Sequence, residues 1–500
     1  MAKNNYDSDF CGSLPLNHIN VIQPYGYLLV LEKNSLNIIQ ASENIADLTG
    51  EPVQSLIGKS VAALSSDSDS SKLNALAIKA RLPLTLTLAG KTMHALAHLK
   101  DTYLLLELEL MDAAAERTFT TVFEEVKHAI TAIEQTSTVD ELSRTAILEL
   151  RRFTGFDGIM MYRFDKEWNG TVIAQEKNEG LDDYMGHTFP ASDVPRQARE
   201  LYLKNPYRLI PDRNYNPIRL YPVINPGSHT FTDLSDCNLR GVAAVHLEYL
   251  KNMNVQASMS IRVIHGGQLW GLIACHHITP LHLNFEVCSI CELLSSVISN
   301  KVSAILQQEI FERETELQKQ QTALVAQVYA EEDLLNGMLN EQAVNLTSLF
   351  QAAGAVAVLS GRFTAIGQVP PVDFIENMIL WLQNKSAGQV FHTEQLPEIF
   401  DEAIPYADVA SGALAITIDK EKGDFIICFR PEVVRTINWG GNPNQAINFE
   451  PGSKNYHPRN SFKIWQETVR HTALPWSGIE LDTAETLRSF IYEFRTRSNG

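Results

Sequence analysis

A carboxylate held between two prolines is the first feature of this 500-residue chain that could do chemistry. In Phe189-Pro-Ala-Ser-Asp-Val-Pro-Arg-Gln-Ala-Arg-Glu-Leu-Tyr, the rings of Pro190 and Pro195 stiffen a turn ahead of a helical stretch and so fix where Asp193 points. A helix cap supplied by Asp193 or Ser192 would use the same residues. Cys275-His276-His277 follows the apolar strand Leu269-Trp-Gly-Leu-Ile-Ala, so alternation sends the two imidazoles to opposite faces. One of them can face a pocket. A Cys275-His276 thiol catalyst is a second reading, although neighbouring strand residues point apart, and a structural histidine is the commoner use. His246 and Tyr249, three apart in His246-Leu-Glu-Tyr-Leu-Lys-Asn-Met, share one side of a helix. Cys288 and Cys291 form a C-x-x-C, but apolar residues recur around them at helical spacing and no second ligand pair accompanies them. A buried helix face therefore fits better than redox or zinc chemistry. With Cys11, Cys237 and Cys428, the six cysteines show no disulfide framework, and free thiols in a reducing compartment are expected.

These residues need elements to hold them. From Tyr27 to Leu110, short apolar runs such as Leu84-Thr-Leu-Thr-Leu and Tyr103 to Leu110 alternate with turns and predict a small α+β domain. Amphipathic stretches at Ala114–Gln135 and Val139–Phe153 open a second unit, whose strands cover 158–164, 171–174, 257–264 and 269–275. Between Asn284 and Asn336 there is no Gly or Pro, which allows one helix of about 80 Å at 1.5 Å per residue. Ile310, Leu317 and Leu324 fall seven apart along it, as in a coiled-coil seam between two copies, weakened by Glu314 and Gln321. A third unit from about Leu339 mixes helix 372–384 with strands 413–418 and 425–429. A turn-rich excursion starts at Asn438-Trp-Gly-Gly-Asn-Pro and rejoins regular pattern at Pro458-Arg-Asn-Ser-Phe-Lys-Ile-Trp; loops of that length are usually functional.

Composition narrows the partners. With 45% apolar and 20% charged residues the chain reads as globular, and its length suits about three domains. Its 41 basic against 59 acidic side chains give a net charge of −18, which repels phosphate backbones and anionic lipid, so neither nucleic acid nor membrane is expected as a partner. Met1 to Asp9 lacks the basic start and apolar core of a signal peptide, and no apolar run approaches the roughly 20 residues that span a bilayer. A cytoplasmic location is expected.

Taken in order, Phe189-Pro-Ala-Ser-Asp-Val-Pro through Tyr202, His246-Leu-Glu-Tyr-Leu-Lys-Asn-Met, Leu269-Trp-Gly-Leu-Ile-Ala-Cys-His-His, Trp439-Gly-Gly-Asn-Pro and Pro458-Arg-Asn-Ser-Phe resemble the bacterial phytochromes over nearly the whole chain. The resemblance implies an α+β fold of three domains with antiparallel sheets. These are an N-terminal extension and PAS domain (1–112), a bilin-binding GAF domain (113–305) and a PHY domain (306–500) with a tongue at about 430–465, linked by the long helix. It further implies an N-terminal figure-of-eight knot, a topology otherwise nearly absent from proteins, with Ile22-Gln-Pro threading a loop of the second domain and Ile22 counted among the ligand-binding residues.

The family also implies a linear tetrapyrrole, biliverdin, joined to Cys11 by a thioether. Arg208, Arg240, Ser258 and Ser260 match the propionate donors, and Asp193 with its backbone carbonyl matches the acceptor of the pyrrole N–H groups, in a turn shared with Val194 and Pro195. His246 would stack beside the pigment and help hold an ordered water, His276 would hydrogen-bond the carbonyl of the rotating ring, and Tyr162, Phe189 and Tyr249 would pack around that ring. Tyr202 would hydrogen-bond near Asp193. Trp439, Arg459 and Ser461 would be tongue contacts, with Arg459 binding Asp193 in one state. The implied function is a red/far-red photoreceptor that isomerises a methine bond and signals as a homodimer to a C-terminal output, often a histidine kinase with its response regulator. No catalytic or metal site is implied. Three positions depart from the family: Tyr25 stands where His is usual, Ala243 precedes the stacking histidine where Ser and Pro are common, and Asn254 replaces a glycine. A PAS and GAF sensor of another ligand, such as a cyclic nucleotide, would have no use for Cys11. An enzyme, whether a thiol catalyst or a bilin-modifying protein, would turn over substrate in the dark.

Overall fold

The structure is a computed structural model that describes residues 16, 19–64, 81–111, 119–385, 388–443, 447–449, 456–458 and 462–498. The chain divides into two compact units, Met1–Ile305 with Asn438–Trp465, and Leu306–Ile437 with Gln466–Gly500.

The first unit is built on two large sheets. Strands β1 (Val21–Ile22), β2 (Tyr27–Glu32), β3 (Ile38–Ser42), β4 (Arg81–Leu88), β5 (Lys91–Leu99) and β6 (Tyr103–Leu110) form one antiparallel sheet, into which the later strand Ile218–Tyr221 inserts between β1 and β3. Leucines alternate along these strands and bury one face under the short helices Ile45–Thr49 and Val53–Leu56. Strand β1 is held on both sides by one excursion of the chain. Val21 pairs with Arg219, Ile22 bridges to Arg240, and Gln23 donates from its backbone to Leu239 (2.7 Å) and from its side chain to the Leu209 carbonyl (3.0 Å). This enclosure is what threading requires. Gly241 closes it: a Cβ there would stand 2.5 Å from Val21 Cγ2, so only glycine lets the two backbones approach.

The second sheet uses β7 (Gly158–Phe164), β8 (Gly170–Lys177), β9 (Thr188–Phe189) and β10 (Tyr207–Ile210). It adds, after β11 (the inserted Ile218–Tyr221), β12 (Ala257–His265) and β13 (Gln268–His277). Its order begins β10-β12-β13-β7-β8-β9, all antiparallel. Helices α1 (Phe119–Glu134) and α2 (Val139–Thr154) follow the expected amphipathic stretches, α2 capped by Thr138 (3.2 Å to Glu141 N) and ended by Gly155 at φ 68°. Between sheet and excursion lie α3 (Arg196–Lys204) and α4 (Ala244–Asn252).

Helix α5 runs from Phe285 to Glu331, 47 residues or about 70 Å at 1.5 Å per residue, and contributes to both units. It stops short of Asn336 because Glu332 takes a left-handed φ of 52°, and the short helix Leu334–Met338 follows. The seam read from its heptad spacing is corrected: Leu317 (1% exposed) and Leu324 (0%) are buried in the core of the second unit, and only Ile310 (47%) is exposed. The spacing serves the domain's own core. An 18-residue window of α5 is apolar enough by composition to cross a bilayer, against the sequence expectation; Cys288, Cys291, Leu294, Ile298 and Val302 on it are buried.

Where β6 meets the start of α5, Glu107 is buried and Glu109, two residues on, is half-buried. Burial opposes ionisation of Glu107, but His98 (2.7 Å) and the Leu239 amide (2.7 Å) outweigh it and hold the carboxyl below its usual range. Glu109 is pushed up to about 7 by burial and then by Glu107. His282, 3.4 Å away, is itself held low by burial and supplies little charge near neutrality. Because the folded-state value is raised, the stabilisation from Glu109 is complete below about pH 4.5 and is lost as pH rises through about 7. We expect Glu109→Gln to match wild type near pH 5 and exceed it by about 3 kcal/mol near pH 8, measured by urea unfolding of the first unit. A difference independent of pH would contradict the assignment.

The second unit centres on a five-stranded antiparallel sheet made of β14 (Gly354–Leu359), β15 (Arg362–Gly367), β16 (Val390–Thr393), β17 (Gly412–Asp419) and β18 (Asp424–Arg430), in the order β15-β14-β18-β17-β16. Helix α6 (Val372–Asn384) buries Phe374, Ile375 and Met378. The final helix, α7 (Gly478–Ser498), is tied to β18 at both ends. Arg430 Nη2 donates to Glu480 Oε1 (2.7 Å), and Arg495 Nη1 donates to Asp424 Oδ2 (2.7 Å). Seven strand residues and the fifteen-residue step along the helix both span about 20 Å, so the two ion pairs fit without strain.

The excursion beyond Ile437 belongs to the first unit. Strand β19 (Arg435–Gly440) pairs with β9 through Trp439 and Thr188, in parallel. Strands β20 (Ile447–Phe449) and β21 (Tyr456–Pro458) form a hairpin, with β21 beside α4, and β22 (Ile464–Val469) returns next to β19.

Candidate ligand-binding site

One face of the second sheet is the floor of the site. Cross-strand partners share a face, so the rows Arg208–Ser260–Ala274–Met160 and Ile210–Ser258–His276–Gly158 present their side chains together. All eight residues except Gly158 line a cavity holding about 210 Å³ of space reachable by water, and Tyr162, two positions beyond Met160, joins them. The alternate residues, Met161, Met259, Ile273 and Cys275 among them, are fully buried on the other face. Cys275 is thus turned away from His276, and burial pushes its thiol well above the usual range, which removes the Cys-His catalyst. His277 also leaves the cavity, and its Nδ1 stands 2.8 Å from Asp157 Oδ2.

The walls come from the loops and helices. Ala191–Asp193 forms a 3₁₀ turn between the prolines, and Asp193 Oδ2 accepts from the Tyr249 hydroxyl at 2.9 Å. The His246 and Tyr249 rings, one helical turn apart on α4, stack at 6.0 Å and 9°. Phe462 meets Tyr249 edge-on at 5.1 Å and is 8% exposed. Gly440 lies against Phe189, where a Cβ would come within 2.8 Å of the ring. Tyr202 lines the cavity, but its hydroxyl hydrogen-bonds Ser260, and the hydroxyl on Asp193 is that of Tyr249.

Charge is distributed unevenly along the cavity. Arg208 donates to the carbonyls of Asn238 (2.6 Å), Arg240 and Gly241 (2.9 Å), and Arg240 to those of Leu234 (3.4 Å) and Ser235 (3.2 Å). Neither makes an ion pair among the described residues. Burial and then the neighbouring Arg208 lower Arg240 to about 9. His246 is held at about 4 by burial and then by Arg208, and His276 at about 4 by burial and then by His246. Both imidazoles are therefore neutral at pH 7, able to donate from one nitrogen and accept at the other.

Tyr162, Phe189, Asp193, Val194, Pro195, Tyr202, Arg208, Arg240, His246, Tyr249, Ser258, Ser260 and His276 all line this cavity. Ile22 does not: it is 0% exposed in the apolar cluster with Leu28, Leu220 and Leu239 under the threaded strand, and Leu16 and Ile19 reach the cavity instead. Cys11, Arg459 and Ser461 lie outside the described residues. Trp439 is buried at the β9 pairing. Sequence reading missed Phe462 as a packing residue, although the aromatic ending Pro458-Arg-Asn-Ser-Phe is a visible signal, and Ser192, whose buried hydroxyl has no partner among the described residues. Of the positions read as departures from the family, Asn254 sits at φ 57°, a left-handed conformation that favours glycine, and Tyr25 reaches the Asn238 carbonyl at 3.3 Å.

Family models match along the chain as a PAS fold (11–111), a GAF domain (138–304) and a phytochrome region (317–499). Cyanobacterial phytochrome B of Nostoc sp. is 37% identical over 494 residues, covering 97% of this chain and 66% of that protein. A bacteriophytochrome of Xanthomonas campestris pv. campestris is 31% identical over 504 residues, covering 98% and 79%. The chain spans about two thirds of the length of the curated relatives it matches first, at 66%, 64% and 65%. Among solved structures, a bacteriophytochrome from R. palustris superposes with a TM-score of 0.85 at 32% identity, covering 97% of this chain and 99% of that one. The photosensory core module of a Stigmatella aurantiaca phytochrome gives 0.82 at 35%, covering 97% and 98%. With the three domains in order and these relatives matched along nearly the whole chain, the protein belongs to the phytochrome family and carries the PAS-GAF-PHY photosensory core of a bacteriophytochrome.

Proposed function

We propose that the chain is a red/far-red light sensor that holds biliverdin in this cavity through a thioether to Cys11. The observation that carries the reading is the pair Arg208, half-buried, and Arg240, buried, two neighbouring cations with no carboxylate partner among the described residues. Such a pair calls for an anion, and a bilin brings two propionates. Ser258, Ser260 and Tyr202 add hydroxyls lining the same cavity, and Ser192 offers one that is unsatisfied among the described residues. The donor set therefore fits the group.

When bound, the bilin supplies light absorption and rotation about a methine double bond. The protein's part is positional. Asp193 and its backbone carbonyl accept pyrrole N–H groups, neutral His246 stacks beside them and holds a water, and neutral His276 donates to the carbonyl of the rotating ring. Tyr162, Phe189 and Tyr249 limit how that ring turns. The excursion at about 430–465 acts as the tongue, with Trp439, Arg459 and Ser461 as its contacts and Arg459 as partner of Asp193 in one state. Its hairpin is one of two forms, the other helical.

The same reading assigns PAS to 1–112, GAF to 113–305 and PHY to 306–500. It includes a cytoplasmic homodimer meeting along α5, where Ile310 and Phe311 are exposed, and a C-terminal output such as a histidine kinase with its response regulator, the residues given acting as sensor and not as enzyme. Cys11→Ser tests the attachment: wild type incubated with biliverdin should keep its pigment through denaturation, and the variant should lose all of it. Pigment retained by the variant would assign the linkage to another residue.

A further inference from the structure

We propose that Arg199 is a positioning residue for Asp193, fixing the Asp193-Val194 turn through the Val194 carbonyl with Trp168 as the plate behind it. Arg199, on the first turns of α3, is 7% exposed. Its Nη1 donates to Val194 O at 2.8 Å, and its guanidinium carbon lies 4.5 Å from the centre of the Trp168 ring. The turn it serves is short of backbone donors, because Pro190 and Pro195 have no N–H, so a charged side chain supplies a hydrogen bond the main chain cannot.

The plate is itself held. Trp168 takes a left-handed φ of 66°, rare for a bulky residue and retained only where surroundings over-determine it. Asp165 does so: its side chain accepts from Asn169 N (2.8 Å) and Nδ2 (2.9 Å), and its carbonyl accepts from Trp168 N (3.1 Å). Asn169 Oδ1 then accepts the Ala191 amide at 3.3 Å. One β7–β8 turn thus grips the proline loop on both sides of Asp193, directly at Ala191 and through Arg199 at Val194. An aromatic row, Tyr162 edge-on to Phe164 (5.5 Å) and Phe164 tilted against Trp168 (5.7 Å), runs from the cavity floor to this turn. A residue that merely braced α3 would need neither the loop carbonyl nor the strained tryptophan.

Part of the test rests on the bilin reading and part does not. In the bilin-free protein, amide hydrogen exchange at 191–194 should quicken about tenfold or more in Arg199→Gln, stay near wild type in Arg199→Lys, and be unchanged along β12. Trp168→Phe, which leaves every donor in place, should show the same local effect in smaller measure, and it decides the matter if Arg199→Gln does not fold. With biliverdin, Arg199→Gln should lose photoproduct and Arg199→Lys recover it. Unchanged exchange at 191–194, or a uniform increase across the first unit, would overturn the proposal. Failure of wild type to take up biliverdin would refute the bilin reading and leave the exchange result to judge Arg199.

Discussion

Arg240→Met is expected to make the bilin-free protein more stable while weakening biliverdin binding by about 100-fold or more, the cost of truncating one partner of a buried charge contact. The first half follows from what the arginine costs without its ligand. Burial and then the neighbouring Arg208 lower it to about 9, which corresponds to roughly 5 kcal/mol of penalty at neutral pH that is relieved only as pH rises above about 9. Its two hydrogen bonds, to Leu234 (3.4 Å) and Ser235 (3.2 Å), are long and offset part of this. A net gain of about 1 to 3 kcal/mol in chemical unfolding remains. Opposite signs for stability and affinity identify a residue held for a ligand. A variant that loses both would show Arg240 to be structural.

Glu480→Gln should cost the second unit about 3 to 5 kcal/mol. Glu480 (3% exposed) binds Arg430 (4%) at 2.7 Å and Arg313 of α5 at 3.3 Å through one oxygen, and caps its own helix through Ser477 N (2.9 Å) with the other. The amide keeps the shape and removes the charge, leaving Arg430 buried beneath Trp476 (3.8 Å) without a counter-ion. Replacing both Glu480 and Arg430 by methionine should cost less than the two single changes added together. Hydrogen exchange along β18 and α7 reads the effect within this unit. A loss below about 1 kcal/mol would mean that water reaches the pair.

Much of the site was legible because strand alternation is a local rule. It separates His276 from His277 and turns Cys275 away, as the cavity requires. Helical spacing likewise put His246 and Tyr249 together. What alternation cannot give is register between strands distant in sequence: that Arg208 faces Ser260, and Ser258 faces His276, is fixed only once β10, β12 and β13 pair. The seam on α5 misled for a similar reason. Leucines seven apart show that one helix face is buried but not in what, and Leu317 and Leu324 face their own domain. Ile22 fell to the same limit, since its place in the threaded strand turns it into an apolar cluster while Leu16 and Ile19 reach the cavity.

The most direct test is the light-minus-dark absorption spectrum of the purified chain assembled with biliverdin, recorded after red and then far-red illumination. A strong red band that converts to a far-red form and back over repeated cycles is expected. Pigment taken up without photoconversion, or no uptake at all, would contradict it.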